Sequence, residues 1–287
     1  MKKKIVVFIL TFCMMMFGSV ALADQEKVVG LGANLNDSQM TEMLEKFGVS
    51  KDEARIIEVS NDEEREYLKG LISEDKIGTR AISSVYIETL GKGAGISVET
   101  YNINWVTKEM YANAMATAGI EDAKVMAAAP FKVSGTAALT GIMKAFETAT
   151  GKKLSDEAKK AASEELVLTG ELGEEVGKDE AAALIKDVKE KVVKDKVTDP
   201  GEITIIIKNA AKELNIKLDK DQINQIMEVM KKISQLDLNI DKISSQLDKI
   251  SSSLDDVRRT VEENKGLIQK ILDAIVSFFK KIGDLFS

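Results

Sequence analysis

A chain of 287 residues with net charge −7, no histidine and one cysteine excludes several chemistries at once. A Ser-His-Asp triad and a usual His/Cys zinc site cannot be built from it, and the acidic balance argues against nucleic acid as the main ligand. Any catalysis would rest on carboxylates, a Ser-Lys pair or a metal held by oxygen atoms.

The first residues predict an export signal. Lys2, Lys3 and Lys4 precede an apolar run over 5–20, and Ala21-Leu22-Ala23 offers a small-x-small cleavage site. Residues 1–23 are therefore expected to be removed, delivering the protein outside the cell. The run is too short for a stable membrane span. Cys13 does not read as a lipidation site, because Thr11 and Phe12 precede it and the apolar run continues beyond it. Removing three lysines and no acid from a chain of net charge −7 leaves about −10, and the only cysteine leaves with them. The mature chain then has neither a thiol nucleophile nor a disulfide.

Residues 24–151 alternate between strand and helix signals. Val28-Val29-Gly30-Leu31 reads as a short strand. Asn36 with Gln39 forms a capping box, flanked by Leu35 and Met40 as a hydrophobic staple, and Phe47-Gly48 ends that helix. A second strand over 55–59 leads to a second helix capped by Ser60 and Glu63. The stretches 81–90 and 96–106 are rich in Val, Ile, Thr and Tyr, and five residues with three glycines separate them. They are expected to pair as a hairpin. That glycine cluster is a turn rather than a dinucleotide loop, because it joins two strands. Thr107 caps a helix stopped by Gly119. A strand over 122–129 is expected to end at Pro130, and Ser134-Gly135-Thr136 opens an alanine-rich helix closed by Gly151. The expected fold class is an α/β or α+β head with a mixed sheet that folds alone, followed by an all-α region ending in a long heptad-patterned helix.

Beyond Leu154 the composition turns to Ala, Glu and Lys, as in surface helices. A helical region over 152–233 is predicted, with a joint at 168–173 where Gly170 and Gly173 lie. Asp199-Pro200-Gly201-Glu202 is a helix start. The β-branched run 203–207 after it fits strand or helix, and the cap favours helix. Asp219 with Gln222 begins the next helix. Asp219 and Asp221 begin like a calcium loop, but Ile223 and the missing glycine end that likeness.

From Ile226 to Leu285 apolar residues recur every three or four positions, a seam broken by Asn264. One continuous helix of that length would measure about 90 Å. The heptad-patterned part spans 234–265, and its flanks carry few charges. It suits either packing on the chain's own upstream helices or association with a second copy. Residues 266–287 form an amphipathic helix of broader apolar face: Leu267, Ile268, Ile271, Leu272 and Ile275, then Phe278, Phe279, Ile282 and Phe286. With Lys270, Lys280 and Lys281 opposite, this face suits a membrane surface, and the alternative is a helix closing a bundle core.

The candidate ligand site is the turn at Ser134, Gly135 and Thr136, between a strand and a helix N-terminus. Backbone N–H groups favour anions there, and ligands commonly sit at that edge of α/β sheets. Arg80 and Lys132 are candidate contributors. The simpler reading is a helix capped by Ser134. Ser73 and Lys76 have Ser-x-x-Lys spacing, but on a polar turn that does not suggest catalysis. Trp105, near Tyr101 and Ile103, reads as core. No cofactor and no metal are expected.

One resemblance adds to this. Residues 80–87 (RAISSVYI), 102–107 (NINWVT), 111–114 (YANA), 117–120 (TAGI) and 130–141 (PFKVSGTAALTG) follow one another as in the YpuA-like family of exported Gram-positive proteins, a family of unknown function. The resemblance implies export and a shared head domain, and carries over no catalytic residue. Three functions are then expected in turn. The first is a non-enzymatic envelope protein with a tail for self-association or membrane attachment. A carboxylate- or metal-dependent hydrolase of wall or surface polymer is the second, and a secreted membrane-active protein the third.

Overall fold

The computed structural model describes residues 26–238. The expected signal peptide and nearly all of the heptad and amphipathic stretches, including every apolar position named over 267–286, lie outside the described residues. Within them the fold is a mixed five-stranded sheet with helices on both faces, followed by a layer of helices.

The strands are β1 (Lys27–Gly32), β2 (Arg55–Val59), β3 (Ser84–Thr89), β4 (Ile96–Ile103) and β5 (Ala123–Val133), in the order β2-β1-β3-β5-β4. β1 runs parallel to β2 and β4 parallel to β5, while β3 is antiparallel to both its neighbours. Four strands thus share one direction, and their carboxyl ends meet at one edge of the sheet. The helices of this part are α1 (Asp37–Phe47), α2 (Asn61–Leu68), the single-turn α3 (Glu74–Ile77), α4 (Lys108–Ala118) and α5 (Thr136–Thr150). Capping boxes at Asn36 and Ser60 start α1 and α2, and Thr107 caps α4, as expected from the side chains.

The period of two along the strands assigns each face. Val29, Leu31, Tyr86 and Ala128 pack with Met43, Leu44 and Phe47 of α1 on one side. Val28, Val85, Ile87, Val98 and Val125 pack with Ile142 and Phe146 of α5 and Met115 of α4 on the other. Gly141 allows α5 to lie close on the sheet, since a Cβ there would stand 3.2 Å from a Val85 methyl.

Two strand expectations are corrected. β3 and β4 do not form a hairpin, because β5 inserts between them and hydrogen-bonds to both. The glycine loop connecting them passes over the start of β5. Asp122 holds it there, its carboxylate accepting from the Gly93 and Gly95 N–H groups at 3.0 and 2.8 Å. Pro130 also does not end its strand. β5 runs on to Val133, and β4 accommodates it with a register shift between Tyr101 and Ile103. There Asn102 takes a left-handed φ of 57°, and its amide donates to the Ala129 carbonyl at 3.0 Å.

Four further helices complete the described chain: α6 (Asp156–Val176), α7 (Lys178–Lys194), α8 (Pro200–Glu213) and α9 (Lys220–Ser234). Residues 203–207 are helical, under the Asp199 cap and Pro200 at the first turn. The expected joint at 168–173 does not exist, because α6 runs through it unbroken. Its glycines serve close approach instead: a Cβ on Gly170 would stand 2.4 Å from the Trp105 ring. The largest core crosses residue 151, joining Met110, Tyr111, Leu139 and Ile142 to Leu166, Val167 and Ala182. The start of the apolar seam is internal. Ile226, Val229 and Ile233 of α9 are buried against Leu172, Leu184, Ile203 and Ile207, and α9 closes at Ser234. The described helices therefore do not continue as one rod from Ile226. Among the described residues no helix is long and apolar enough to cross a membrane.

Candidate functional site: a cleft at the carboxyl edge of the sheet

A cleft of about 520 Å³ opens where β4 and β5 end and β3 begins. That volume suits a small organic ligand. Its floor holds Glu64 and Thr136, its apolar wall Ile77, Ile82 and Phe131, and its rim Thr79 and Arg80. Asn104, Trp105 and Ser134 close the far side.

Distant parts of the chain build each wall. The segment after α3 is held by Arg65 of α2, which forms an ion pair with Glu74 and donates to the Gly78 carbonyl at 2.6 Å. It is also anchored on the loop after β1: Asn34 Oδ1 accepts from the Ala81 N–H at 2.8 Å, and the Asn34 carbonyl accepts from Arg80 Nη2 at 3.2 Å. The Trp105 side is fixed by the helical layer. The indole N–H donates to Glu174 of α6 at 2.7 Å, and Lys178 of α7 donates to the Asn104 carbonyl at 2.6 Å. The single tryptophan is thus both core, at 8 % exposure, and cleft wall. Tyr101 is not core: it is exposed, with the Lys46 ammonium 3.6 Å from its ring centre.

The 134–136 turn differs from expectation in detail. Ser134 is not the cap of α5. Gly135 occupies that position with φ 96° and no side-chain cap bond, and its carbonyl accepts from the buried Tyr111 hydroxyl. A Cβ at Gly135 would collide with Ile103 and that hydroxyl, so only glycine fits. Thr136 points its hydroxyl at Glu64, donating to Oε1 at 3.0 Å, while Asn61 donates to Oε2 at 3.2 Å. Arg80, Ser134 and Thr136 line the same cleft, and Gly135 is not among the lining residues. Lys132 is exposed on β5 and is not among the lining residues. Ser73 precedes α3 without a side-chain cap bond.

Glu64 was missed by reading the sequence. It looks like one more acid in the first turn of a polar helix, yet it is 1 % exposed. Burial pushes its carboxyl up to about 7, against the lowering effect of its bonds to Thr136 and Asn61 and of the Arg65 charge. The carboxyl therefore holds a proton well above the usual carboxylate range and can donate a hydrogen bond near neutrality. The Tyr111 hydroxyl is raised as well, first by burial and then by Glu64.

A second polar cluster, also unread from the sequence, lies between α4, α6 and α7. Lys189 Nζ is 2.7 Å from Glu165 Oε1, both side chains being 1 % exposed. The ammonium also donates to the Asn113 carbonyl at 2.7 Å and to the Thr117 hydroxyl at 3.1 Å, and Thr117 in turn donates to Glu165. No cavity opens onto it among those described. Among the described residues, no group of three or more acidic side chains is placed to hold a metal ion.

Comparison with known proteins places the chain. Residues 31–250 match the family described as "Protein of unknown function (DUF1002)". The "Uncharacterized protein YpuA" of Bacillus subtilis (strain 168) is 41 % identical over 277 residues, covering 95 % of each chain. The chain belongs to that family of unknown function, as the resemblance implied. No solved structure matches it.

Proposed function

We propose that the protein is exported by a cleaved signal peptide and acts at the cell envelope as a non-enzymatic binding protein. The observation that carries the binding reading is the charge inventory of the cleft. Of its described lining residues only Glu64 and Arg80 are ionisable as acid or base. Hydrolysis by paired carboxylates needs a second carboxyl about 5 to 10 Å from the first, and the cleft lining supplies an arginine and hydroxyls instead. Export is supported by the three lysines, the apolar run over 5–20 and Ala21-Leu22-Ala23. The first strand of the fold begins at Lys27, just beyond that cleavage point. Fractionating producing cells into medium, wall, membrane and cytoplasm tests this. A mature chain starting at Asp24 in the outer fractions is expected, and an uncut chain confined to the cytoplasm overturns it.

In the same reading the tail attaches the protein to the outer surface of the membrane through Leu267, Ile271, Ile275, Phe279 and their neighbours. Deleting residues 266–287, or replacing Ile275 and Phe279 with Asp, should release the protein from anionic vesicles without lowering its melting temperature. Each new charge would face hydrocarbon at a cost of about 3 kcal/mol. Wild-type protein that ignores vesicles, with the double variant unfolding the helical layer, would identify the tail as core.

A further inference from the structure

We infer that the cleft binds a small carboxylic acid with an apolar body, the carboxylate held by Arg80 and the body lying on Phe131 and Ile82. The inference goes beyond envelope location and does not depend on it.

Charge is the first argument. The chain carries 47 acidic and 40 basic residues, so most cations have a carboxylate available. Arg80 makes no ion pair among the described residues, and its one hydrogen bond is to the Asn34 carbonyl. A guanidinium offers five donors in a planar fork matched to a carboxylate. Arg80 stands at the cleft rim with most of that fork uncommitted.

The floor has the complementary property. Glu64 lines the same cleft as Arg80, with neutral hydrogen-bond partners, Thr136 and Asn61, and no ion pair among the described residues. Held protonated, it adds a donor rather than a repelling charge, so no other acid in the described lining opposes an anion. Titratable neighbours facing it are Arg65 on its own helix and the Tyr111 hydroxyl on α4.

Apolar surface supplies the third argument. Phe131 is 47 % exposed, one of few large apolar side chains so exposed among the described residues, and it lines the same cleft as Ile77 and Ile82. An aromatic and an uncommitted guanidinium sharing one cleft of about 520 Å³ fit an acid about the size of an acylated amino acid.

Trp105 gives a built-in reporter, being the only tryptophan and part of the cleft wall. The full chain is titrated at about pH 6, where Glu64 is protonated, with N-acetyl-phenylalanine and separately with its neutral amide. Saturable change in Trp105 fluorescence is expected for the acid, and binding of the amide weaker by about tenfold or more. Arg80→Gln should weaken the acid to the level of the amide and leave the amide unchanged. Phe131→Ala should weaken both. Both side chains are exposed, so melting temperatures should match the wild type. No saturable response to the acid, equal binding of acid and amide, or an Arg80→Gln variant that binds the acid as well as wild type would each overturn the inference.

Discussion

Two buried glutamates meet opposite fates in this molecule. Glu64 and Glu165 are both 1 % exposed, on helices that pack against each other. Glu165 has an ammonium 2.7 Å away, a threonine hydroxyl beside it and helices closed around it. Glu64 has only a hydroxyl and an amide, and it lines an open cleft. A buried carboxyl must either find a cation or keep its proton. The first solution locks helices together. The second leaves a titratable donor next to space a ligand can enter, which is why Glu64 and not Glu165 belongs to the candidate site.

The sharpest way to break this contrast is to remove one half of the ion pair. Glu165→Ala or Lys189→Ala strands a charge among α4, α6 and α7, and should lower stability in denaturant titrations by about 3 to 5 kcal/mol. The double variant Glu165→Leu with Lys189→Met should recover most of that loss, because the desolvation cost disappears with both charges. A single variant as stable as wild type would show that the pair is not sealed from water. Burial also pushes the Lys189 ammonium down, against the raising effect of Glu165.

Glu64 should instead reveal itself through pH. Folded, its carboxyl holds its proton to about 7, and unfolded it releases it near 4.5. The folded state binds the extra proton between those values. This contribution is therefore fully present below about pH 4.5, falls as pH rises and is gone above about pH 7. Linkage sets the loss at about 3 kcal/mol. Denaturation midpoints of Glu64→Gln should lack this decline, so that the difference between variant and wild type moves in favour of the variant as pH rises. Parallel profiles for the two proteins would mean that Glu64 ionises normally.

A smaller effect is expected where the cleft wall meets the helical layer. Gly170→Ala pushes a methyl into the Trp105 ring and should cost about 1 to 3 kcal/mol by overpacking, with a shift in tryptophan emission. An unshifted spectrum would separate α6 from the cleft.

Local chemistry alone determined where four of the helices begin. Asn36 with Gln39, Ser60 with Glu63, Asp199 with Pro200, and Asp219 with Gln222 satisfy orphan N–H groups within a single turn, so no distant residue is needed to read them. Strand positions were legible too, because the apolar and β-branched runs that mark them are contiguous. Arg80, Ser134 and Thr136 could be singled out because strand-to-helix edges of α/β sheets favour ligands. Tertiary structure decided the rest. β5 enters between β3 and β4 although it begins at Ala123, 20 residues after β4 ends at Ile103, and strand propensity carries no record of its partner. Gly170 looks like a joint until Trp105, 65 positions earlier in the chain, is seen against it. Glu64 looks like a solvated acid until α5 brings Thr136 over it, and Glu165 until α7 brings Lys189. A side chain's charge state depends on what surrounds it, and the surroundings of both glutamates come from segments far away in sequence.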